Sequence, residues 1–189
     1  MEQSLEIGFV VALQHLPARS RALLLLRDVE RFSAGEAAEI LDEGEPWVGD
    51  ELARARATLD RHRRPRRAPP PSPRAERVLV TRFVSACETA DQRALAALLA
   101  ADALLTVPAA GFELRGRHPV RHALPTGPNV RLLTTRANGA PACACYVRSG
   151  ARLHADSLYV LTLEGEHVAV ITGFPGARVL RPFGLPRVI

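Results

Sequence analysis

His154 and Asp156 stand two apart in residues 152–163, a stretch that reads as a β-strand, so both side chains are expected on one face of it. Leu158 and Val160 continue that face with apolar groups. An imidazole titrating near neutral pH, beside a carboxylate that burial tunes upward, suits general acid–base work on a carbonyl compound. Tyr146 or Tyr159 offers a phenol able to donate to a developing oxyanion. The competing expectation leaves His154 and Asp156 on the open, solvated end of the strand and the tyrosines in a core or an interface. The substrate-binding candidates are Phe83, Cys87, Arg136, Leu158 and Val160, with Arg136 suited to an anionic group or simply exposed. Cys143 and Cys145 share a strand face with no base predicted nearby, which reads as buried small side chains, and Cys87 reads as helix core. His118 and His122 lie four apart on one helix face, a metal-compatible spacing without a third ligand. No phosphate-binding glycine loop, serine-nucleophile motif or dinucleotide fingerprint occurs, so catalysis is expected to need neither cofactor nor metal.

The elements that must position these groups follow from pattern. Val78, Leu79, Phe83, Val84 and Cys87 predict an amphipathic helix over 77–90. Asp91 caps a second over 92–100. A strand over 103–107 ends at Pro108, and 112–115 is a short strand before a helical piece at 117–124. Four further strands are expected at 129–137, 140–148, 152–163 and 166–174, with tight turns at Asn138-Gly139 and Glu164-Gly165. Helices followed by an antiparallel meander make an α+β pattern.

A different composition precedes this region. Residues 61–74 hold five prolines and six arginines, which reads as an extended, like-charged, solvated linker, with a phosphate-binding or acidic-partner tether as the alternative. Before it, Leu5, Phe9, Ala12 and Leu13 predict a first helix, and Leu16-Pro17 breaks it and opens the next, whose apolar stripe runs from Ala22 to Val29. Ser33 with Glu36 predicts a capping box, Asp42-Glu43-Gly44 a turn, and Pro46 the first turn of a helix through Val48, Leu52, Ala55 and Leu59. Helix, short turn, helix is a helix-turn-helix candidate, with an ordinary antiparallel helix pair as the alternative.

Of 189 residues, 47% are apolar and 24% charged, which excludes wholesale disorder. No apolar run reaches the ~18 residues of a membrane span, and no export signal is visible. Three cysteines make no closed disulfide framework, so a reducing cytoplasm is the expected setting. All 25 basic residues are arginine. Net charge is −6 over residues 1–60, +5 over 61–76 and +6 over 77–189, so the positive charge is a linker plus a mildly basic second half.

Leu16-Pro17, Arg21, Leu26-Arg27-Asp28-Val29, Phe32-Ser33, Glu36, Ala38 and Ala55-Arg56-Ala57-Thr58-Leu59 resemble the fourth region of extracytoplasmic-function sigma factors. Phe83, Asp91, Leu98 to Ala103, Gly116-Arg117, Asn138-Gly139-Ala140-Pro141-Ala142 and Gly165, Val168 and Phe174 resemble the SnoaL-like, polyketide-cyclase-type extension carried by some of these factors. The second resemblance implies a curved antiparallel sheet wrapped round helices into a cone with a pocket. Its relatives include cyclases, isomerases, hydrolases and non-catalytic binding modules. The first implies a DNA-reading helix, yet residues 42–51 hold five acids and no base, which opposes seating on a polyanionic groove. The second region of such factors is expected to be missing before residue 1.

The expected architecture is therefore a helical, helix-turn-helix-like domain at 1–60, a linker at 61–75, a SnoaL-like α+β cone at 76–175 and a tail at 176–189 that could cover the cone mouth. The leading expectation is a cofactor-independent cyclase, isomerase or hydrolase acting on a small apolar carbonyl-bearing substrate, with His154, Asp156 and Tyr146 in the chemistry. DNA is set aside as a partner, and a homodimer through the outer sheet face stays open. The alternative is a sigma-like regulator that binds promoter DNA through Arg54 and Arg56 or contacts RNA polymerase, its pocket sensing a ligand. Trp47 is expected to dock against the other domain.

Overall fold

The computed structural model describes residues 16–62 and 68–189. The expected helix around Leu5–Leu13 lies outside them. The chain divides into two compact units, Met1–Pro65 and Arg66–Ile189.

In the first unit Pro17 precedes helix α1, Ala18–Leu24, where its missing N–H costs nothing. The helix widens into a π turn over Leu25–Val29, closed by Glu30 N–H donating to the Leu25 carbonyl at 2.9 Å. Periodicity alone predicted one uninterrupted helix there. In the widened turn Asp28 meets Arg56, and Arg27 donates to the Phe32 carbonyl. Ser33 caps α2, Ala34–Leu41, in a complete capping box: Glu36 N–H donates to Ser33 Oγ at 3.2 Å, and Ser33 N–H to Glu36 Oε2 at 2.7 Å. Those bonds hold the Glu36 carboxyl below its ordinary value. Asp42, left-handed at φ 54°, turns the chain into α3, Glu45–His62. Leu23, Leu24, Ala37, Ala38, Val48, Leu52, Ala55 and Leu59 form the core, and Trp47 packs against it, within its own unit.

In the second unit α4, Pro73–Glu88, starts earlier than the expected residue 77. Ser72 caps it and Pro73 sits in its first turn, so the end of the proline-rich stretch is a helix start. Asp91 caps α5, Gln92–Leu98, accepting from the N–H groups of Arg93 and Ala94 at 3.1 and 2.8 Å. The chain then passes directly into β1, Leu99–Val107, followed by β2, Phe112–Arg115, and α6, Arg117–Ala123. Strands β3, Val130–Ala137, β4, Ala140–Ser149, β5, Arg152–Glu164, and β6, His167–Pro175, form the meander. Asn138 and Gly139, both at positive φ (48° and 75°), make the primed turn that an Asn-Gly pair favours.

The six-stranded sheet has the order β2-β1-β6-β5-β4-β3. It is mixed rather than wholly antiparallel, because β1 pairs with β6 in parallel across the long connection that carries the other strands. Register shifts in the β1–β6, β4–β5 and β5–β6 pairs bend the sheet, as bulges do. Helices α4, α5 and α6 fill the inner face with Phe83, Cys87, Leu95, Leu98 and Val120 against Leu132, Cys143, Cys145, Leu161 and Ile171. Glu88 and Glu76 clamp α4 to the edge strand β3, pairing with Arg131 at 2.8 Å and Arg136 at 2.6 Å. Glu88 Oε1 also accepts the Leu132 N–H at 2.9 Å.

Candidate functional site

The helix pair α2–α3 presents the candidate partner surface of the first unit. Val48, Leu52, Ala55 and Leu59 turn α3 inward, which leaves Pro46, Gly49, Asp50, Ala53, Arg54 and Ala57 on the outside. The acids around this surface are partly answered from within. Glu43 pairs with Arg19 at 2.6 Å, Glu51 with Arg54 at 3.0 Å, and Asp28 with Arg56. Ser20 also donates to Glu51. Hydrogen bonding to Asp28 raises the Arg56 pKa further. Arg54 and Arg56 keep 66% and 54% of their side chains exposed, so their guanidinium groups remain open to a third, anionic group.

In the second unit the β4–β5 register decides where the acid–base candidates go. Cys145 pairs with Ser157 but Tyr146 pairs with Ala155, so Asp156 is an extra residue in β5 with no Cα partner on β4. Alternation counted along the sequence therefore fails between His154 and Asp156. His154 lies opposite Val147 on one side and bridges Val188 on the other. Both His154 and Asp156 are exposed. Tyr146 is fully buried, and its hydroxyl donates to the Pro186 carbonyl at 2.8 Å. No hydrogen bond or ion pair joins His154, Asp156 and Tyr146 among the described residues.

The expected lining residues are also dispersed. Phe83 and Cys87 are buried in the inner core. Arg136 is tied to Glu76 and to the Gly139 carbonyl on the exterior. Leu158 and Val160 are buried outside that core, on the opposite face from Leu161 and Leu163, where a 3-10 segment, Ala177–Phe183, packs on β5 with Leu180 buried. Beyond it the tail continues the sheet beside β5, with Leu153 and Ala155 N–H donating to the Ile189 and Arg187 carbonyls at 2.9 Å. Cys143 and Cys145 are buried on the inner face, and burial pushes both thiols, like Cys87, up to about 12. His118 and His122 are exposed on α6, where the His122 ring engages the His118 carbonyl at 2.8 Å.

The structure brings together one polar neighbourhood that residue spacing did not single out. Ser157, 4% exposed, has no hydrogen-bond partner of ordinary geometry for its hydroxyl, and it sits beside Tyr159 and Cys145. Burial raises the Tyr159 phenol, with Ser157 pulling against it and Asp156 adding to it. The Tyr159 ring covers Gly173 on β6, where a Cβ would meet it at 3.4 Å. Ser157 and Tyr159 stand two apart beyond the bulge at Asp156, where the register with β4 is regular, and that spacing is the sequence signal for the pair.

Residues 9–59 match the model of sigma-70, region 4. The chain is 34% identical over 194 residues to the ECF RNA polymerase sigma factor SigG of Mycobacterium tuberculosis, covering 97% of this chain and 52% of the relative. The chain spans about half the length of the curated relatives it matches. The solved extracytoplasmic function sigma factor SigJ of Mycobacterium tuberculosis is similar over 93% of this chain and 64% of its own, with a TM-score of 0.61 at 21% identity. An NTF-2 like protein from Burkholderia xenovorans LB400 aligns with 55% of this chain and 84% of its own, with a TM-score of 0.46 at 13% identity. No helix of the described residues is long and apolar enough to cross a membrane. Residues 9–59 are thus similar to sigma-70 region 4, the chain is similar along both units to the extracytoplasmic-function sigma factor SigG, and its second unit has a SnoaL-like α+β fold.

Proposed function

We propose that the protein is a sigma-type transcription regulator that works beside RNA polymerase in the cytoplasm, with its SnoaL-like unit modulating that activity through what it binds. The observation that carries this reading is the 34% identity to SigG, which runs through both units rather than the helical one alone. Physical chemistry supports it in two places. The capped α2, the left-handed Asp42 and the long α3 make a helix-turn-helix around a shared apolar core. Internal ion pairs at Glu43, Glu51 and Asp28 offset part of the negative charge that opposed a DNA partner.

Arg54 and Arg56 are the residues for phosphate contact, and polymerase is the partner that tolerates the remaining exposed acids Asp42, Glu45 and Asp50. The acid–base enzyme reading receives less support. His154, Asp156 and Tyr146 are not linked, and a proton-transfer pair needs hydrogen-bond reach.

The test is retention of the full chain on bacterial RNA polymerase core, together with gel shifts on promoter duplex between ~50 and ~300 mM salt. Retention, with a salt-dependent shift that Arg54→Glu weakens, is the expected result. Absence of both polymerase retention and DNA binding ends the reading.

A further inference from the structure

Helix α4 is amphipathic in charge as well as in hydropathy. Its two flanking acids, Glu76 and Glu88, are each neutralised by an arginine of β3. Its outward arginines, Arg74, Arg77 and Arg82, make no ion pair among the described residues and are exposed. Between Arg74 and Arg82 stands Val78, 51% exposed, one of the few large apolar side chains left to solvent in this unit. Residues four apart on a helix lie above one another, so Arg74, Val78 and Arg82 form one row: cation, apolar, cation, at about 6 Å per step.

Two grooves run along this row and share Arg82. The larger, about 310 Å³, is walled by Arg74, Val78 and Arg82 on the helix and by Glu166 at the β5–β6 turn. The smaller, about 170 Å³, carries the row on to Ser85 and Thr89, whose short side chains leave room for another backbone.

We propose that this outward face of α4 is a docking surface for an acidic amphipathic helix of a partner protein, seating an apolar side chain on Val78 between two carboxylates that pair with Arg74 and Arg82. A helix with Glu at i−4 and i+4 around Leu at i repeats the same 6 Å step, and packs at about 8–10 Å between axes. Charge complementarity selects acids, and the exposed Val78 selects an apolar centre. Glu166 discriminates against a continuous polyanion: a nucleic-acid backbone laid along the groove meets that carboxylate, whereas a peptide with discrete acids avoids it. The proposal is independent of the promoter reading, since it uses no residue of the first unit.

The experiment uses the full chain and a fluorescent peptide of about 16 residues with the Glu–Leu–Glu row, read by anisotropy at ~50 and ~300 mM salt. Its counterpart carries Lys for Glu, and a promoter-free DNA duplex forms a third arm. We expect the acidic peptide to bind with salt-sensitive affinity. The double variant R74E/R82E should weaken it about tenfold or more, and Val78→Ser should weaken it severalfold. R148E/R152E, which reverses two exposed arginines at the β4–β5 turn, should leave it unchanged. Far-UV circular dichroism checks that each variant is folded, and the milder Arg82→Gln repeats the measurement if R74E/R82E is not. Equal binding of the Lys peptide, equal loss in R148E/R152E, or no acidic-peptide binding overturns the proposal. Binding of the DNA duplex alone, lost in R74E/R82E, also overturns it, making the face a nucleic-acid surface instead.

Discussion

A thiolate inside the second unit loses its hydration with no cation to replace it, and so Cys87, Cys143 and Cys145 stand at about 12 against an ordinary 9.0. Native protein at pH 8 should resist iodoacetamide at all three sites, with full labelling in denaturant, read by intact mass; an adduct on the folded protein contradicts the burial. The folded state holds these protons more tightly than the unfolded chain. Their contribution to stability is therefore complete below pH 9 and is lost as pH rises from 9 towards 12. Thermal melting against pH should show that alkaline loss, and Cys143→Ala should reduce it. Ser33 is the corresponding residue in the first unit. Ser33→Ala removes one half of the capping box and should cost about 1 kcal/mol, seen as faster amide exchange across Ala34–Leu41.

Among the elements, the edge strand β3 and the tail depend on contacts made far along the chain. Glu88 on α4 accepts the Leu132 N–H, a donor that no neighbouring strand satisfies. Glu88→Ala leaves that group without its acceptor and should destabilise the second unit by about 1–3 kcal/mol. Glu88→Gln keeps an acceptor and should cost distinctly less, so chemical denaturation of the pair separates the edge contact from the Arg131 ion pair. The tail is held by the Tyr146 hydroxyl, by backbone pairing to β5 and by Leu180. Leu180→Ala should destabilise by about 2–5 kcal/mol and speed exchange at Leu153 and Ala155, while Tyr146→Phe should cost about 1 kcal/mol. Slow exchange at Leu153 in L180A would show that the tail stays paired without its apolar anchor.

For the molecule as a whole, the charge division seen along the chain has to be weighed against its pairing. The acids of residues 42–51 looked prohibitive for DNA when counted, yet Glu43 and Glu51 are spent on Arg19 and Arg54. If Arg54 and Arg56 each neutralise one phosphate, the logarithm of promoter affinity should fall with the logarithm of salt more shallowly by about 1 for each arginine removed. Arg54→Gln frees Glu51, so E51Q/R54Q is the matched comparison for it. Arg56→Gln also frees Asp28, so D28N/R56Q is the matched comparison. An unchanged slope in both removes these arginines from the DNA contact.

Local signals on this chain carried what local physics governs. Ser33 with Glu36, Asp91 before its helix, and Asn138-Gly139 each satisfy or turn backbone groups within a few residues, and each was legible without a fold. The resemblance to sigma region 4 and to a SnoaL-like unit was legible for the same reason, being carried by residue types at fixed spacing. The α4 start at Pro73 was obscured because Pro-Pro-Pro-Ser-Pro reads as a spacer until Ser72 is seen capping. The site was not legible, because a strand's faces depend on register, and register is set by the partner. One extra residue at Asp156 parts it from His154, and the parallel pairing of β1 with β6 is a choice between distant segments. Tertiary structure alone decided that Arg56 meets Asp28, Arg136 meets Glu76 and Arg131 meets Glu88, since an ion pair between residues dozens of positions apart leaves no mark on either neighbourhood in the sequence.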